Sequence, residues 1–137
     1  IKVSIVQLEW SSFKEVVARG KAQAFWLSWW ADYPDAENFL FPLFHSSNWG
    51  AGGNRSFYKN QTVDFLIEKA QQELDEPSRI HLFHEAEKII IQEAPMVFFW
   101  HQTDYYLAQS RVKNFIPCPL ATSEDGTDFQ LTSVGKQ

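Results

Sequence analysis

The first half of the chain switches repeatedly between a period of two and a helical period. Lys2 to Trp10 (KVSIVQLEW) is rich in β-branched residues and partly alternating, which predicts a strand. Ser12-Phe13-Lys14-Glu15 has the spacing of a capping box, in which a hydroxyl and a carboxylate satisfy free helix-end amides reciprocally. The short helix it opens is expected to bury Phe13, Val16 and Val17 and to end at Gly20, which turns left-handed without steric cost. Ala22 to Trp30 (AQAFWLSWW) predicts a second strand, and strand–helix–strand in this order makes a right-handed crossover between parallel strands. A turn at Ala31 to Asp35 leads into a short helix over 36–45, with Asp35 as its cap and Pro42 straining its later part. Ser46 to Tyr58 is polar and Gly-rich, the composition of a mobile loop, although Trp49 is unusual in a plain linker.

The second half is more regular. From Gln61 to Glu76, Val63, Leu66, Ile67, Ala70 and Leu74 form one apolar stripe at helical spacing. A second helix is predicted from Pro77, tolerated in a first turn, to Glu93, with Ile80, Phe83, Ala86 and Ile90 facing inward. Ala94-Pro95 stops it. Met96 to His101 (MVFFWH) predicts a buried strand, Asp104 to Gln109 its partner, and Phe129 to Val134 a last short strand in an otherwise irregular tail. The order β-α-β-α-α-α-β-β is that of an α/β fold, a mixed sheet with flanking helices.

Composition narrows the function classes. The 137 residues suffice for a real core, and the 45% hydrophobic and 21% charged fractions are those of a globular domain. Aromatics reach 16%, with six Trp and twelve Phe, which means either an aromatic core or an aromatic surface that meets a ligand or another part of the protein. A net charge of −5 and the lack of a dense Lys/Arg run argue against nucleic acid. No apolar stretch approaches the roughly 20 residues that span a bilayer. The single cysteine, Cys118, lies between Pro117 and Pro119 without a basic neighbour, which favours an inert residue over a catalytic thiol. The chain starts at Ile1 inside a strand-like pattern, so it is read as a segment of a longer protein, and the lack of a leader says nothing about compartment.

Trp29 to Phe39 (WWADYPDAENF) resembles the strand–turn–helix signature of the family-5 extracellular solute-binding proteins, the oligopeptide and dipeptide binders. Tyr58 to Asp64 (YKNQTVD) is similar to the segment that opens that family's helix pair; Asp75, Arg79, Ala86-Glu87, Ile89-Ile90 and Ala94-Pro95 fit in order and spacing. The resemblance runs from Lys2 to about Phe115 and implies a two-lobed protein of periplasmic-binding-protein type II fold that closes on its ligand by a hinge. Residues 1–100 would then be part of the C-terminal, ligand-binding lobe, and residues 101–137 a crossover segment returning toward an N-terminal lobe. It further implies capture of a peptide outside the cytoplasmic membrane, in the periplasm or on a lipid-anchored lipoprotein, delivery to an ABC permease, no cofactor and no catalysis.

The same resemblance assigns site residues. Asp32 matches the aspartate that pairs with the ligand's α-ammonium; an amine leaving water needs an ionised partner of good geometry. Read from the residues alone, Asp32 more simply shapes the turn before Pro34. Ser28, Trp29 and Trp30 lie where the family's backbone pairs with an extended peptide, gripping main chain and reading no side chain. Trp29 matches a pocket-lining tryptophan. Adjacent strand residues face opposite ways, so the Trp30 side chain is read as core. His101 aligns with a cleft-facing position, with a structural histidine as the plainer alternative. Phe25 and Trp26 stand where a ligand-carboxylate-binding basic residue is found in oligopeptide binders, which leaves room for a non-peptide solute such as a sugar or a metal chelate.

Two rival classes are testable. A metal-dependent hydrolase would use His81 and His84, but His81-Leu82-Phe83-His84-Glu85 does not have the His-Glu-x-x-His order of a zinc peptidase, and nothing resembles a nucleophile elbow. A protein-interaction domain would use the aromatic surface, and predicts self-association without response to a small ligand.

Overall fold

The apolar stripes of the second half become the core of the molecule. In the computed structural model, which describes residues 2–99, 103, 105–114 and 133–134, α3 (Gln61–Gln72) packs on α4 (Glu76–Glu93), and α2 (Glu37–Phe44) lies against both. Phe44, Val63, Ile67, Ala86 and Ile90 are buried together, with Leu40, Phe41, Leu66 and Met96 closing over them. The ends of the helix pair follow local chemistry. The Asn60 side chain accepts the amides of Thr62 (2.9 Å) and Val63 (3.3 Å), and Asp75 accepts that of Ser78 (3.1 Å), each satisfying a first-turn donor without an intrahelical partner. At the far end Ala94 turns left-handed (φ 47°) before Pro95. The first helix is shorter than its stripe suggests: it stops at Gln72, and Leu74 is 98% exposed. Ile80 is likewise largely outside the core.

α1 (Trp10–Ala18) starts two residues before the expected capping box. Its cap is Glu9, whose carboxylate accepts the amides of Ser11 (2.9 Å) and Ser12 (3.3 Å), while Glu15 pairs with Arg19 one turn on (2.9 Å). The helix ends as expected at Gly20 (φ 64°), where the amides of Gly20 and Lys21 return to the carbonyls of Val17 and Val16.

The loop over 46–58 is built, not mobile in design. Two 3₁₀ turns, Ser46–Asn48 and Gly50–Gly52, fold around Asn54, which is fully buried. The Asn54 amide group donates to the carbonyls of His45 (3.2 Å) and Tyr58 (2.9 Å), and its oxygen accepts the Tyr58 amide (3.1 Å) and the Ser56 hydroxyl (3.1 Å). Trp49 donates its indole N–H to the Tyr58 carbonyl (2.8 Å) and faces Phe57. Gly50, at φ 70°, lies so close to the Ala18 carbonyl that a Cβ would stand 2.4 Å from its oxygen, which fastens the loop to α1.

The mixed sheet is not found among the described residues. Residues 2–9, 21–31, 97–99 and 105–109 join no β-ladder among the described residues. The expected strands Lys2–Trp10 and Ala22–Trp30 are therefore without regular secondary structure, with a bend at Gln23-Ala24 and Trp10 already helical. The chain divides into two compact units, Ile1–Val97 and Phe98–Gln137. In the second, β1 (Val112–Lys113) pairs antiparallel with β2 (Ser133–Val134), Val112 opposite Val134. Cys118 and His101 lie outside the described residues.

Candidate functional site

The segment 28–38 leads into α2, and two residues lock it. Asn38, in the first turn of α2 and 6% exposed, accepts the Asp32 amide on its side-chain oxygen (3.0 Å). Its backbone carbonyl accepts the Trp29 indole N–H (2.8 Å). That carbonyl is free because Pro42, four residues on, has no N–H to complete the helical bond. The second lock is Asp35. Its carboxylate accepts the Glu37 amide (2.8 Å) and forms a bidentate pair with Arg79 of α4 (2.7 and 2.8 Å). Hydrogen bonding from the guanidinium holds the Asp35 carboxyl below the usual aspartate range. Arg79 in turn lies over the Phe83 ring, 4.8 Å from its centroid. Tyr33 donates its hydroxyl to Glu37, which also receives Gln71 from α3 (2.8 Å).

The sequence-derived candidates divide on this frame. Asp32 is exposed, its backbone held by Asn38, and its carboxylate makes no hydrogen bond or ion pair among the described residues. Trp29 is half-buried and Ser28 exposed. Trp30 does not enter the core as expected: it is 46% exposed. Asp32, Trp29, Ser28 and Trp30 are thus brought together on one short stretch, and His101 lies outside the described residues. Phe25 and Trp26 are both exposed in part.

Two features escaped the sequence reading. Asp35 and Arg79 are 44 residues apart, so their pairing could not be read from spacing. Asn38 had one available signal, a proline at i+4 that orphans its carbonyl. A cavity of ≈ 210 Å³ opens beside the Asp35–Arg79 pair, lined by Ala36, Ile80, Phe83 and His84 among others, and none of the candidate ligand residues lines it. His81 and His84 are exposed on α4; among the described residues no group of three or more His, Cys, Asp or Glu side chains is arranged to hold a metal ion.

The comparisons follow the same class. The chain is related to the family-5 extracytoplasmic solute-binding proteins. It is 32% identical over 120 residues to dipeptide-binding protein DppE of Bacillus subtilis, covering 88% of this chain and 21% of that protein. It is 32% identical over 121 residues to the probable D,D-dipeptide-binding periplasmic protein DdpA of Escherichia coli (88% and 23%), and 29% identical over 120 residues to heme-binding protein A of Haemophilus influenzae (88% and 22%). Among solved structures, HbpA2 from Haemophilus parasuis superposes with a TM-score of 0.82 at 30% identity, over 96% of this chain and 25% of that one. No family model matches. The chain spans between 21% and 25% of the length of these relatives.

Proposed function

We propose that the chain is part of the ligand-binding lobe of an extracytoplasmic solute-binding protein that captures dipeptides or oligopeptides for an ABC importer. Residues 1–100 belong to the C-terminal lobe, and residues 101–137 return toward an N-terminal lobe supplied by further polypeptide. The protein works outside the cytoplasmic membrane, periplasmic or lipid-anchored, hands its ligand to a membrane permease, and needs neither cofactor nor catalysis.

Asp32 carries this proposal. It is an exposed carboxylate without a partner among the described residues, on a backbone held by a buried asparagine. An unpaired acid on a rigid turn suits a ligand ammonium: its position is set before binding, so little ordering remains to be done when the amine arrives. Lobe closure then removes the pair from water, where its attraction strengthens. The Ser28–Trp30 backbone is free of ladder bonds among the described residues and suits addition of an extended peptide. The half-buried Trp29 ring offers an apolar wall to a ligand side chain, with Trp30 beside it, and His101 is a further candidate contact.

A second reading, a non-peptide solute, is favoured by the similarity to a heme-binding protein and by Phe25 and Trp26 in place of a basic residue. Calorimetric titration of the two-lobed protein with tri- to pentapeptides, free and N-acetylated, separates the two. Free peptides are expected to bind, acetylation to abolish binding, and Asp32→Ala to cost about 2–5 kcal/mol. Heat from heme and none from peptides would replace the first reading by the second.

A further inference from the structure

We infer that Asn38 is a positioning residue for this site, which sets Trp29 and Asp32 in the register that a peptide amine and its first side chain require. The inference rests on the peptide-binding reading above. Asn38 makes three bonds into the segment that precedes it. Its amide donates to the Asp35 carbonyl (3.1 Å), its side-chain oxygen accepts the Asp32 amide (3.0 Å), and its carbonyl accepts the Trp29 indole (2.8 Å). One buried residue thereby holds the Trp29 indole and the Asp32 backbone, two of the positions proposed to meet ligand.

The arrangement depends on Pro42. In an unbroken helix the Asn38 carbonyl would take the amide of residue 42, and the indole would meet an already bonded acceptor. With proline at 42 that amide does not exist, and the orphaned carbonyl supplies the indole's acceptor. The Trp29 N–H is taken up by this bond, so its contact with ligand is through the ring face or edge. The Asp35–Arg79 pair anchors the same turn to α4, so the clamp has a rigid base. Asn38 needs no contact with ligand to do this. Displacements of an ångström or less at a preorganised site are enough to lower affinity.

The test uses the two-lobed protein with Asn38→Ala and Pro42→Ala, reading trialanine affinity by calorimetry and the Trp29 indole ¹H–¹⁵N resonance in the absence of ligand. Asn38→Ala orphans the Asp32 amide and is expected to weaken trialanine about tenfold. Pro42→Ala restores a helical amide without removing any packing partner of the site. The new amide competes for the Asn38 carbonyl, so the indole resonance shifts and affinity falls a few-fold in a protein that folds normally. If Asn38→Ala does not fold, Pro42→Ala decides alone. Wild-type-like affinity in the folded variants, or weaker binding with the Trp29 resonance unmoved in both, overturns the positioning role and leaves the peptide reading standing. Failure of the wild-type protein to bind any free-amine tripeptide removes both together.

Discussion

The helical region from Glu37 to Ala94 is less rich in apolar residues than segments 2–9 and 21–31, yet it is the helical region that buries them. In the first, Val63, Ile67, Ala70 and Ala86 have no exposed surface at all. In the second, Val3, Ile5 and Val6 are largely exposed, Ile5 at 94%. Propensity does not separate them, because both follow the pattern expected of their type. What separates them is where their hydrogen bonds go. A helix satisfies its own backbone and needs only one face covered, whereas a strand depends on a neighbour for both backbone and side chains. The helical region closes its core within the chain, and segments 2–9 and 21–31 join no β-ladder among the described residues.

The largest effect that tests this contrast is a cavity in the helical core. Ile67→Ala removes a side chain with no exposed surface from between α2, α3 and α4, and is expected to cost about 3–4 kcal/mol in chemical denaturation. A cost below about 1 kcal/mol would mean that this core is no more consolidated than segments 2–9 and 21–31.

A smaller effect comes from the Asp35–Arg79 pair, which ties the candidate site to the core. Asp35→Asn is expected to cost about 1–2 kcal/mol at neutral pH, since both partners are only about a quarter exposed and the pair is bidentate (27% and 28%). The folded protein holds the Asp35 pKa below its ordinary 3.8. Its contribution is therefore complete above the unfolded value near pH 4 and is lost as pH falls through the lower, folded value. Wild type and Asp35→Asn should diverge at pH 7 and converge in strong acid. Parallel curves across that range would show that the pair does not couple the site to the core.

The smallest effect belongs to segment 2–9. Ile5→Ser is expected to change stability by less than about 0.5 kcal/mol, because the side chain is in water already. It should at the same time raise solubility, measured by light scattering at rising concentration, by removing part of an exposed apolar run. A loss comparable to that of Ile67→Ala would place Ile5 in a core and erase the contrast.

Much of the fold was legible where chemistry is local. The α3 and α4 stripes, the stop at Ala94-Pro95 and the glycine end of α1 depend on residues within a turn or two of each other, so a linear reading reaches them; the caps Asn60 and Asp75 are equally local but were not read as caps. The strands are not found among the described residues for the complementary reason: Lys2–Trp10 and Ala22–Trp30 have strand composition, but composition does not supply a partner. The loop around Asn54 was misjudged because its glycines suggest mobility, while a single buried amide with four hydrogen bonds supplies order that no local count reveals. The candidate site lies between these cases. Asp32 and Trp29 could be named from the resemblance to peptide binders, whereas the residues that hold them could not.

By itself, then, the sequence determined the α3 and α4 helices, the glycine end of α1, the buried stripe and the kinship with solute-binding proteins, because each is written in neighbouring residues or in the order of short motifs. The tertiary structure alone decided that Trp29 is the more covered tryptophan and Trp30 the more exposed, that Asp35 pairs with Arg79 across 44 residues, and that Pro42 frees the Asn38 carbonyl for an indole nine residues upstream of it. Those outcomes depend on which groups meet when α2 docks on the helix pair, and a contact between distant parts of a chain has no local signature.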